Sequence, residues 1–423
     1  MNRIAKSAIV PALRSRSYRL FFFGQGVSLI GTWMTQTATI WLVYQLTNSA
    51  IMLGIVGFSS QIPSFFLAPW GGVLVDRFNT HKILVIAQIL SMIQSLVLAA
   101  LALSGTIQIW HFIILSLFQG VINAVDAPAR QAFVPEMVEK RDDLASAIAL
   151  NSSLVNGGRL IGPAIAGILI ARIGAAYCFL IDGLSYIAVI AALMAMRLKQ
   201  KKIVVTTAHP LQRLKEGFVY AYKFSPIRST LLLLALFSLM AMPYITLVPI
   251  FATKILAGDA STLGLLMAAS GMGAIGGGIY LSTRKTVVGL GKVIALAPGI
   301  CGTGIILFSL SRILWLSTLM SALIGLGSIL TISSSNTIIQ TIVEDDKRGR
   351  VMSLFTMSFL GMVPFGNLFA GFAADRIGAT NTLIIGGSFC IIGSLLFARQ
   401  LPKLRQAARP VLQQRGVLSQ TNT

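Results

Sequence analysis

Long apolar runs recur along the whole chain, and each is bounded by charged or turn residues. A run of about 20 apolar residues is the length that an α-helix needs to cross the ~30 Å hydrocarbon core of a bilayer. Short alternating strands, which a membrane barrel would need, are absent from the sequence. The predicted fold class is therefore an all-α membrane protein. Its twelve transmembrane spans, numbered 1 to 12 in chain order, are predicted at about 18–46, 51–75, 82–104, 108–130, 144–171, 175–197, 229–256, 262–283, 291–310, 313–339, 350–374 and 380–401.

The composition agrees with a protein that crosses the membrane many times and excludes two other classes. Only 11% of the 423 residues are charged, 55% are hydrophobic, and the mean hydropathy is +0.80. A soluble domain carries about 25% charged residues, and a disordered chain needs low hydrophobicity. The three cysteines lie far apart inside apolar runs and there are three histidines, so no metal site, disulfide framework or cofactor is predicted.

The excess of basic residues has a topological explanation. The net charge is +21, from 34 Lys and Arg against 13 Asp and Glu. If both termini are cytoplasmic, 29 of the basic residues lie on the cytoplasmic side, and the outer side holds four: Arg172, Lys254, Arg312 and Arg376. This distribution follows the rule that keeps Lys and Arg in cytoplasmic loops, so nucleic acid is not predicted as a partner. The expected location is the bacterial inner (plasma) membrane, with both termini cytoplasmic.

One long basic connection divides the chain into two six-span halves. The predicted domains are 1–197, a linker at 198–228, 229–401, and a cytoplasmic tail at 402–423. Leu211, Leu214, Phe218 and Tyr222 recur in the linker at helical spacing, which is typical of an amphipathic helix on an anionic membrane surface; a solvated linker with some helix is the alternative.

The two halves also share a sequence repeat. Residues 161–175 and 365–379 match at seven of fifteen positions, and Leu53-Gly54 corresponds more weakly to Leu263-Gly264. Such duplicated halves, with the substrate bound between them, are a transporter architecture.

A charged motif closes span 2, where residues 71–82 read GGVLVDRFNTHK. It resembles the G-x-L-a-D-R-x-G-R-K signature of the major facilitator superfamily. The resemblance implies a cytoplasmic gate built on Gly72, Asp76 and Arg77. A carboxylate at a membrane boundary is costly unless it is paired, and the positive N-terminal end of span 11 would stabilise Asp76. A charge pair that only sets topology is the alternative.

The end of span 4 adds a second acid to the predicted gate. Asp126 and Arg130 are four residues apart and therefore share one helix face. By resemblance, Asp126 matches the acid of the fourth helix that joins the gate in this superfamily, whereas an ordinary local ion pair is the alternative. Ser116 stands where the family often has an arginine, three residues before the Gln119-Gly120 pair.

Span 5 carries the closely spaced small residues Gly158, Gly162 and Gly167, with Pro163 between them. Small residues let helix backbones approach closely, and the proline removes one helical hydrogen bond and allows a bend. The run resembles the gxxxGPxxxG element of superfamily antiporters. The amino-acid sequence of residues 126–197 resembles that of a narrower branch, the drug:proton antiporters that include enterobactin-type exporters. This branch is also called transmembrane secretion effectors. The resemblance implies a fold of two pseudo-symmetric six-helix bundles.

Two further charges lie deep inside spans, Arg159 in span 5 and Asp182 in span 6. An intramembrane charge is a functional candidate by default. Three interpretations stay open: a structural ion pair between the two, proton or substrate coupling at Asp182, and coupling at another acid such as Asp126.

Polar but uncharged residues mark spans 1, 4, 7 and 10, which surround the central cavity in the superfamily. Such walls suit a large amphiphilic ligand held by scattered hydrogen bonds, although polar packing between helices is an alternative for about half of them. The predicted cavity residues are Gln25, Thr32, Gln36, Gln119, Asn123, Tyr244, Asn336 and Gln340.

One glycine motif does not indicate nucleotide binding. Residues 271–276 spell GxGxxG, but they lie inside an apolar span with no preceding strand, so the dinucleotide interpretation fails its context test. We expect this run to pack span 8 closely against span 5.

The predicted function is secondary active transport. We expect export of small or medium amphiphilic molecules, drug-like or siderophore-like, with inward-moving protons as the energy source and the two halves rocking about a central site. The expected partners are that substrate, protons and membrane lipids, and the expected state is a monomer. Uncoupled or lipid-type transport and a non-transporting membrane scaffold are the alternatives. An enzyme is not predicted, because acidic, His and Cys residues are scattered rather than clustered within spans.

Overall fold

The computed structural model describes residues 11–138, 140, 143–196, 210–284, 286–345 and 347–415. Within these ranges the secondary structure is helical and no strand occurs. The described residues form fifteen α-helices, α1 to α15: Arg16–Thr47, Ala50–Arg77, Thr80–Leu103, Ile109–Met137, Leu144–Ile173, Ala176–Met194, Pro210–Lys223, Ser225–Met240, Tyr244–Ile250, Ala260–Thr283, Leu290–Leu310, Leu314–Ile342, Arg348–Phe359, Val363–Ile377 and Ala379–Gln414.

These helices account for the twelve predicted spans. Spans 1 to 6 are α1 to α6, and spans 8, 9, 10 and 12 are α10, α11, α12 and α15. Span 7 is divided into α8, α9 and a π-helical turn, and span 11 into α13 and α14. In the described part of the chain, eleven helical segments are long and apolar enough to cross a membrane. The twelfth, α1, is a 32-residue helix that carries many of the polar residues predicted to line a cavity. The predicted all-α membrane fold is confirmed.

Two helices run past their predicted ends. α4 continues to Met137 through two prolines, although its span was predicted to end near residue 130. α15 continues to Gln414, well beyond the predicted end of span 12 at residue 401. In α15 the additional turns place Leu404, Ala408 and Leu412 against the apolar clusters of neighbouring helices. The hydropathy of these additional turns is too low to indicate a membrane span, because they mix packed apolar residues with exposed basic ones.

The amphipathic helix predicted in the linker is present as α7, Pro210–Lys223. One side of it packs on α13, where Gly217 lies against Arg350 and Glu216 forms an ion pair with the same arginine at 3.0 Å. On the other side, the exposed rings of Phe218 and Tyr222 stack on each other. The side chains of Leu211 and Leu214 lie outside the described residues, so the membrane-surface role of this helix stays a prediction.

Side-chain caps fix where several helices begin. Asn79 accepts a hydrogen bond from the backbone N–H of Lys82 at 3.2 Å and so starts α3. Asp259 starts α10 by accepting from the backbone N–H groups of Ser261 at 2.9 Å and Thr262 at 3.2 Å. Such caps satisfy donors that a helix end leaves open. The Ser261 hydroxyl, together with these amides, holds the pKa of the exposed Asp259 carboxyl below its ordinary value.

A turn after the helix explains why the last glycine occurs in both copies of the sequence repeat. Gly174 ends α5 with a φ of 101°, and Gly378 ends α14 with a φ of 86°. Residues with a side chain rarely adopt this left-handed region, whereas glycine does so freely. The equivalent positions of residues 161–175 and 365–379 therefore make the same turn into the following helix.

The chain forms two compact units. One contains the described residues within 1–48, 59–207 and 258–268, and the other those within 49–58, 208–257 and 269–423. Each unit thus includes a short segment from the opposite half of the sequence. In the first unit, a Cβ on Gly167 would lie 2.9 Å from the Cα of Gly264. In the second unit, a Cβ on Gly371 would lie 2.9 Å from the Cα of Gly54. Both close approaches require glycine, and all four residues belong to the sequence repeat.

Candidate functional site

A stripe of buried polar side chains on α3 connects the intramembrane acids of the first unit. The stripe consists of Gln88, Ser91, Gln94 and Ser95, each no more than 5% exposed. Gln119 of α4 donates a hydrogen bond to Ser91 at 3.2 Å, and Gln94 of α3 donates one to the backbone carbonyl of Leu115 on α4. The sequence analysis missed this stripe, although its spacing of three and four residues in an otherwise apolar helix is a readable signal.

Asp126 is buried between α3 and α4. The side chain of Gln88 donates to Asp126 Oδ1 at 2.9 Å. Arg130, one turn further along α4, forms an ion pair with Asp126 Oδ2. The carboxylate is 5% exposed and the guanidinium side chain 25% exposed, so the pair reaches the surface of the unit only through the arginine. The contact between the two side chains is present, and a role in a gate stays a prediction.

Asp182 lies on α6 and is only 1% exposed. Its Oδ2 accepts hydrogen bonds from Thr35 of α1 at 2.9 Å and from Ser95 of α3 at 2.7 Å. Its Oδ1 has no hydrogen-bond donor among the described residues. A Cβ on Gly31 would lie 2.7 Å from Oδ1, so this carboxylate occupies space that only a glycine leaves open. Ser95 and Gly31 are site residues that the sequence analysis did not identify.

The second intramembrane charge, Arg159, has a different neighbour. Its guanidinium carbon lies 5.7 Å from the centre of the Trp33 ring, which is within the range of a cation–π contact. No ion pair between Arg159 and Asp182 occurs in the described part of the chain. The pairing considered from the sequence is therefore not formed, because α5 presents this arginine to the aromatic ring of α1.

Tyr186 follows Asp182 by one turn of α6 and is also buried. Tyr186 was also missed, because an aromatic residue in an apolar helix carries no distinguishing pattern.

At the end of α2, the glycine that packing requires is Gly71. A Cβ on Gly71 would lie 2.1 Å from the carbonyl oxygen of Ala124, whereas a Cβ on Gly72 would meet no atom within 4 Å. Gly72 is thus free of a packing constraint. Arg77 is exposed, and the side chain of Asp76 lies outside the described residues. The predicted gate at this motif stays a prediction.

The small residues of α5 pack against two neighbours. A Cβ on Gly158 or Gly162 would lie 3.1 Å or 2.5 Å, respectively, from atoms of Trp33 on α1. Pro163 and Gly167 instead face α10, where a Cβ on Gly264 would lie 2.6 Å from the carbonyl oxygen of Pro163. These close approaches agree with the packing role predicted for the run.

The GxGxxG run of α10 packs differently from its prediction. A Cβ on Gly273 would lie 1.7 Å from the carbonyl oxygen of Ala322, which places this part of α10 against α12. The expected packing of span 8 against span 5 is present, but it is made at Gly264 rather than within residues 271–276. α10 approaches α5 near its beginning, at Gly264, and turns its middle toward another helix of the second unit.

The predicted cavity residues differ in how far their side chains are exposed. Gln25 is buried in α1, while Thr32 and Gln36 of the same helix are exposed. In α4, Gln119 donates to the exposed Asn123 at 3.1 Å. Tyr244 is only 2% exposed and forms a hydrogen bond with Ser321 at 2.8 Å, an arrangement that resembles interhelical packing.

The two remaining cavity candidates both lie on α12. The exposed Gln340 donates to the side chain of Asn336 at 2.9 Å. Like the α4 pair, these two residues are four positions apart and form one polar patch on a helix. Whether any of these patches lines a substrate cavity stays a prediction.

Comparison with known proteins identifies the family. The family described as transmembrane secretion effector matches residues 6–416. The chain belongs to the transmembrane secretion effector family. The predicted resemblance to this branch of the major facilitator superfamily is confirmed.

Several curated relatives of this chain are named as transporters or efflux proteins. It is 28% identical to the Staphyloferrin A transporter of Staphylococcus aureus (strain NCTC 8325 / PS 47), over 92% of this chain and 97% of that protein. It is 25% identical to the enterobactin exporter of Citrobacter koseri, over 97% and 98% of the two chains. It is 24% identical to Macrolide efflux protein A of Streptococcus pyogenes, over 87% and 92%. These relatives agree with a transporter rather than an enzyme.

Solved structures support the fold. A crystal structure of the peptide transporter POT superposes with a TM-score of 0.73 at 13% identity, covering 92% of this chain and 95% of that one. A bacterial homologue of the human lysosomal transporter Spinster, in an inward-facing and unoccupied conformation, superposes with a TM-score of 0.68 at 14% identity, covering 95% and 98%. At these identities the likeness concerns the fold alone.

Proposed function

We propose that this protein exports small or medium amphiphilic molecules by alternating access, in exchange for protons that move inward. Asp182 is the observation that carries this proposal. It is a carboxylate inside a membrane-spanning helix, 1% exposed, with no cationic partner in the described part of the chain. The proton gradient supplies the energy, no cofactor takes part, and the protein acts as a monomer in the inner membrane with both termini cytoplasmic.

The surroundings of Asp182 suit a group that binds and releases a proton. An ionised carboxylate buried without a cation is costly, and binding a proton removes that cost. The Thr35 and Ser95 hydroxyls donate to Oδ2 and support the ionised form. Oδ1, which has no donor among the described residues, is the oxygen that takes the proton. Hydroxyl donors with an open second oxygen can serve both protonation states, which an obligate salt bridge could not do.

The side chains that hydrogen-bond to Asp182 come from neighbouring helices. α1 and α3 present the hydroxyls of Thr35 and Ser95. The titratable side chains Cys178 and Tyr186 lie one turn before and one turn after Asp182 on α6.

The substrate class follows from the uncharged polar side chains. Thr32, Gln36, Asn123 and Gln340 are exposed amides and hydroxyls on the helices predicted to line the cavity. Such groups hold a large amphiphile through scattered hydrogen bonds without selecting for charge. The names of the relatives, which include siderophore transporters and a macrolide efflux protein, support this class.

Transport in proteoliposomes tests the proposal, with ethidium and erythromycin as probes. Vesicles with an acidic lumen and an alkaline exterior are expected to accumulate probe only while the pH gradient lasts. Asp182→Asn is expected to abolish this accumulation, because the amide cannot carry the proton, and to retain exchange of probe down its own gradient. Asp259→Asn makes the same chemical change at an exposed carboxylate outside the spans and is expected to transport like the parent protein.

Two results would contradict parts of the proposal. Accumulation by Asp182→Asn at the rate of the parent protein would remove Asp182 from the coupling role. Probe movement that is insensitive to the pH gradient in the parent protein, with no accompanying proton flux, would decide for the uncoupled alternative. Absence of transport for every amphiphile in a broad panel would favour a non-transporting scaffold.

A further inference from the structure

A cavity of about 790 Å³ lies wholly within the second unit. It is bounded by the ends of α8, α10, α11 and α12 and by the last turns of α15. Four basic residues line it: Arg284, Lys292, Arg405 and Arg409. The Asp182 site belongs to the first unit, so this cavity is a separate feature of the molecule.

The basic side of the cavity is open to an anionic ligand. Arg284 is held in place by donating to the hydroxyl of Tyr280 and to the carbonyl of Val288, both at 2.9 Å. Lys292, Arg405 and Arg409 are exposed. No ion pair of the described residues involves any of these three, and no acidic residue is among those that line the cavity. Four positive charges therefore face the cavity without a compensating carboxylate in the described part of the chain.

Most of the remaining residues that line the cavity are apolar. Ile294, Phe397 and Leu404 are buried there in one packed cluster. Among the apolar residues that line the cavity, Val288 is 47% exposed and Leu296 is 62% exposed. Leu296 lies within α11, a helix long and apolar enough to cross a membrane, so we expect its exposed side chain to face lipid. The cavity therefore joins a hydrocarbon-facing surface to a basic surface.

The position of the basic residues matches a membrane boundary. Arg284 and Lys292 flank the short connection between α10 and α11, and Arg405 and Arg409 lie on α15 beyond the predicted end of span 12. The charge distribution places both of these regions on the cytoplasmic side. Basic pockets between transmembrane helices on that side suit the head groups of anionic lipids. The guanidinium group also matches phosphate oxygens in geometry.

We propose that this cavity binds one anionic phospholipid of the inner leaflet. The phosphate lies between Lys292, Arg405 and Arg409, and an acyl chain follows Leu296, Phe397 and Leu401. The lipid would bridge α11 and the extended end of α15, whose last turn is already held by Arg415 through the carbonyl of Val343 at 2.6 Å. This inference rests on the membrane-spanning fold and on the cavity, and it does not depend on proton coupling or on the exported substrate.

Lipid binding to the full-length protein in a neutral detergent tests the inference, with dioleoylphosphatidylglycerol as the probe and dioleoylphosphatidylcholine as the neutral comparison. Native mass spectrometry is expected to retain one phosphatidylglycerol per chain, and this lipid is expected to raise the melting temperature more than the neutral one. Arg405→Gln/Arg409→Gln is expected to weaken binding of the anionic lipid about tenfold or more, because two charges at the phosphate are lost.

The control double variant also removes two positive charges from α15. Arg399→Gln/Lys403→Gln changes two exposed residues of α15 that do not line the cavity, and it is expected to bind the lipid like the parent protein. Equal weakening by both double variants would show attraction to the basic surface as a whole and would overturn the inference. Equal binding of the neutral lipid, or an equal rise in melting temperature with inorganic phosphate alone, would overturn it as well.

Discussion

Breaking the buried ion pair of α4 should measure how strongly Asp126 depends on Arg130. Arg130→Met keeps most of the apolar stem of the side chain but removes the charge. Asp126, only 5% exposed on its side chain, then retains the amide of Gln88 as its partner. Removing one member of a buried pair typically costs about 3–5 kcal/mol. Because Arg130 is 25% exposed and already partly solvated, we expect a loss of about 3 kcal/mol in unfolding free energy.

A double-mutant cycle separates this pair from general packing effects. Asp126→Asn should cost only about 1 kcal/mol, since its side-chain oxygen still accepts from Gln88 and the arginine can turn to solvent. The double variant should then lose about 2 kcal/mol rather than the sum of the two losses, which is a coupling of about 2 kcal/mol. Unfolding in mixed micelles of sodium dodecyl sulfate and dodecyl maltoside, followed by tryptophan fluorescence, measures all four free energies.

The control for this cycle is Arg19→Met, the same change at an exposed arginine of the first unit. It should alter the unfolding free energy by no more than about 0.5 kcal/mol. The reasoning would be refuted if Arg130→Met behaved like this control, or if the losses of the two single variants simply added in the double variant.

Three further predictions concern close packing and capping. Gly71→Ala should lower the unfolding free energy by about 1–3 kcal/mol, because its Cβ would overlap the α4 backbone, whereas Gly72→Ala should be neutral or slightly stabilising; equal thermal melts would contradict this. Gly167→Ala and Gly371→Ala should destabilise by similar amounts, about 1–3 kcal/mol, and a large difference between their melts would contradict the equivalence of the two glycine contacts. The lowered pKa of the Asp259 carboxyl stabilises the fold at pH values above the ordinary aspartate pKa of about 4. This stabilisation is lost as the pH falls through the lower pKa of the folded state, so the melting temperature of Asp259→Asn should fall less on acidification than that of the parent protein. Identical pH profiles of the two melting temperatures would show that the cap does not titrate with folding.

The two glycine contacts explain why the repeat in the sequence is strongest where it is. Gly167 and Gly371 occupy equivalent positions of the repeat, and each meets a glycine of a Leu-Gly pair from the opposite half of the sequence. A side chain at any of these positions would strike backbone atoms, which cannot move aside as a flexible side chain can. Close backbone contact thus keeps glycine at both positions.

Several site residues could be predicted because a charge in an apolar helix is conspicuous. Asp126, Arg130, Arg159 and Asp182 all stand out in the sequence for this reason. Their partners do not stand out in the same way. Thr35 and Ser95 are ordinary in their helices, and only the packing of α1 and α3 against α6 brings them to the same carboxylate.

The amino-acid sequence by itself determined the helical membrane fold, the number and approximate ends of the spans, and the membership of the family. These properties depend on hydropathy, local charge and motifs, which act over a helix or less. The tertiary structure alone decided that Arg159 lies over Trp33 rather than beside Asp182, that Gly71 rather than Gly72 is held by packing, and that the end of α15 closes a basic cavity. Each of these outcomes depends on which face of a helix meets which neighbour. In an apolar span nearly every face is apolar, so hydropathy carries little information about that choice.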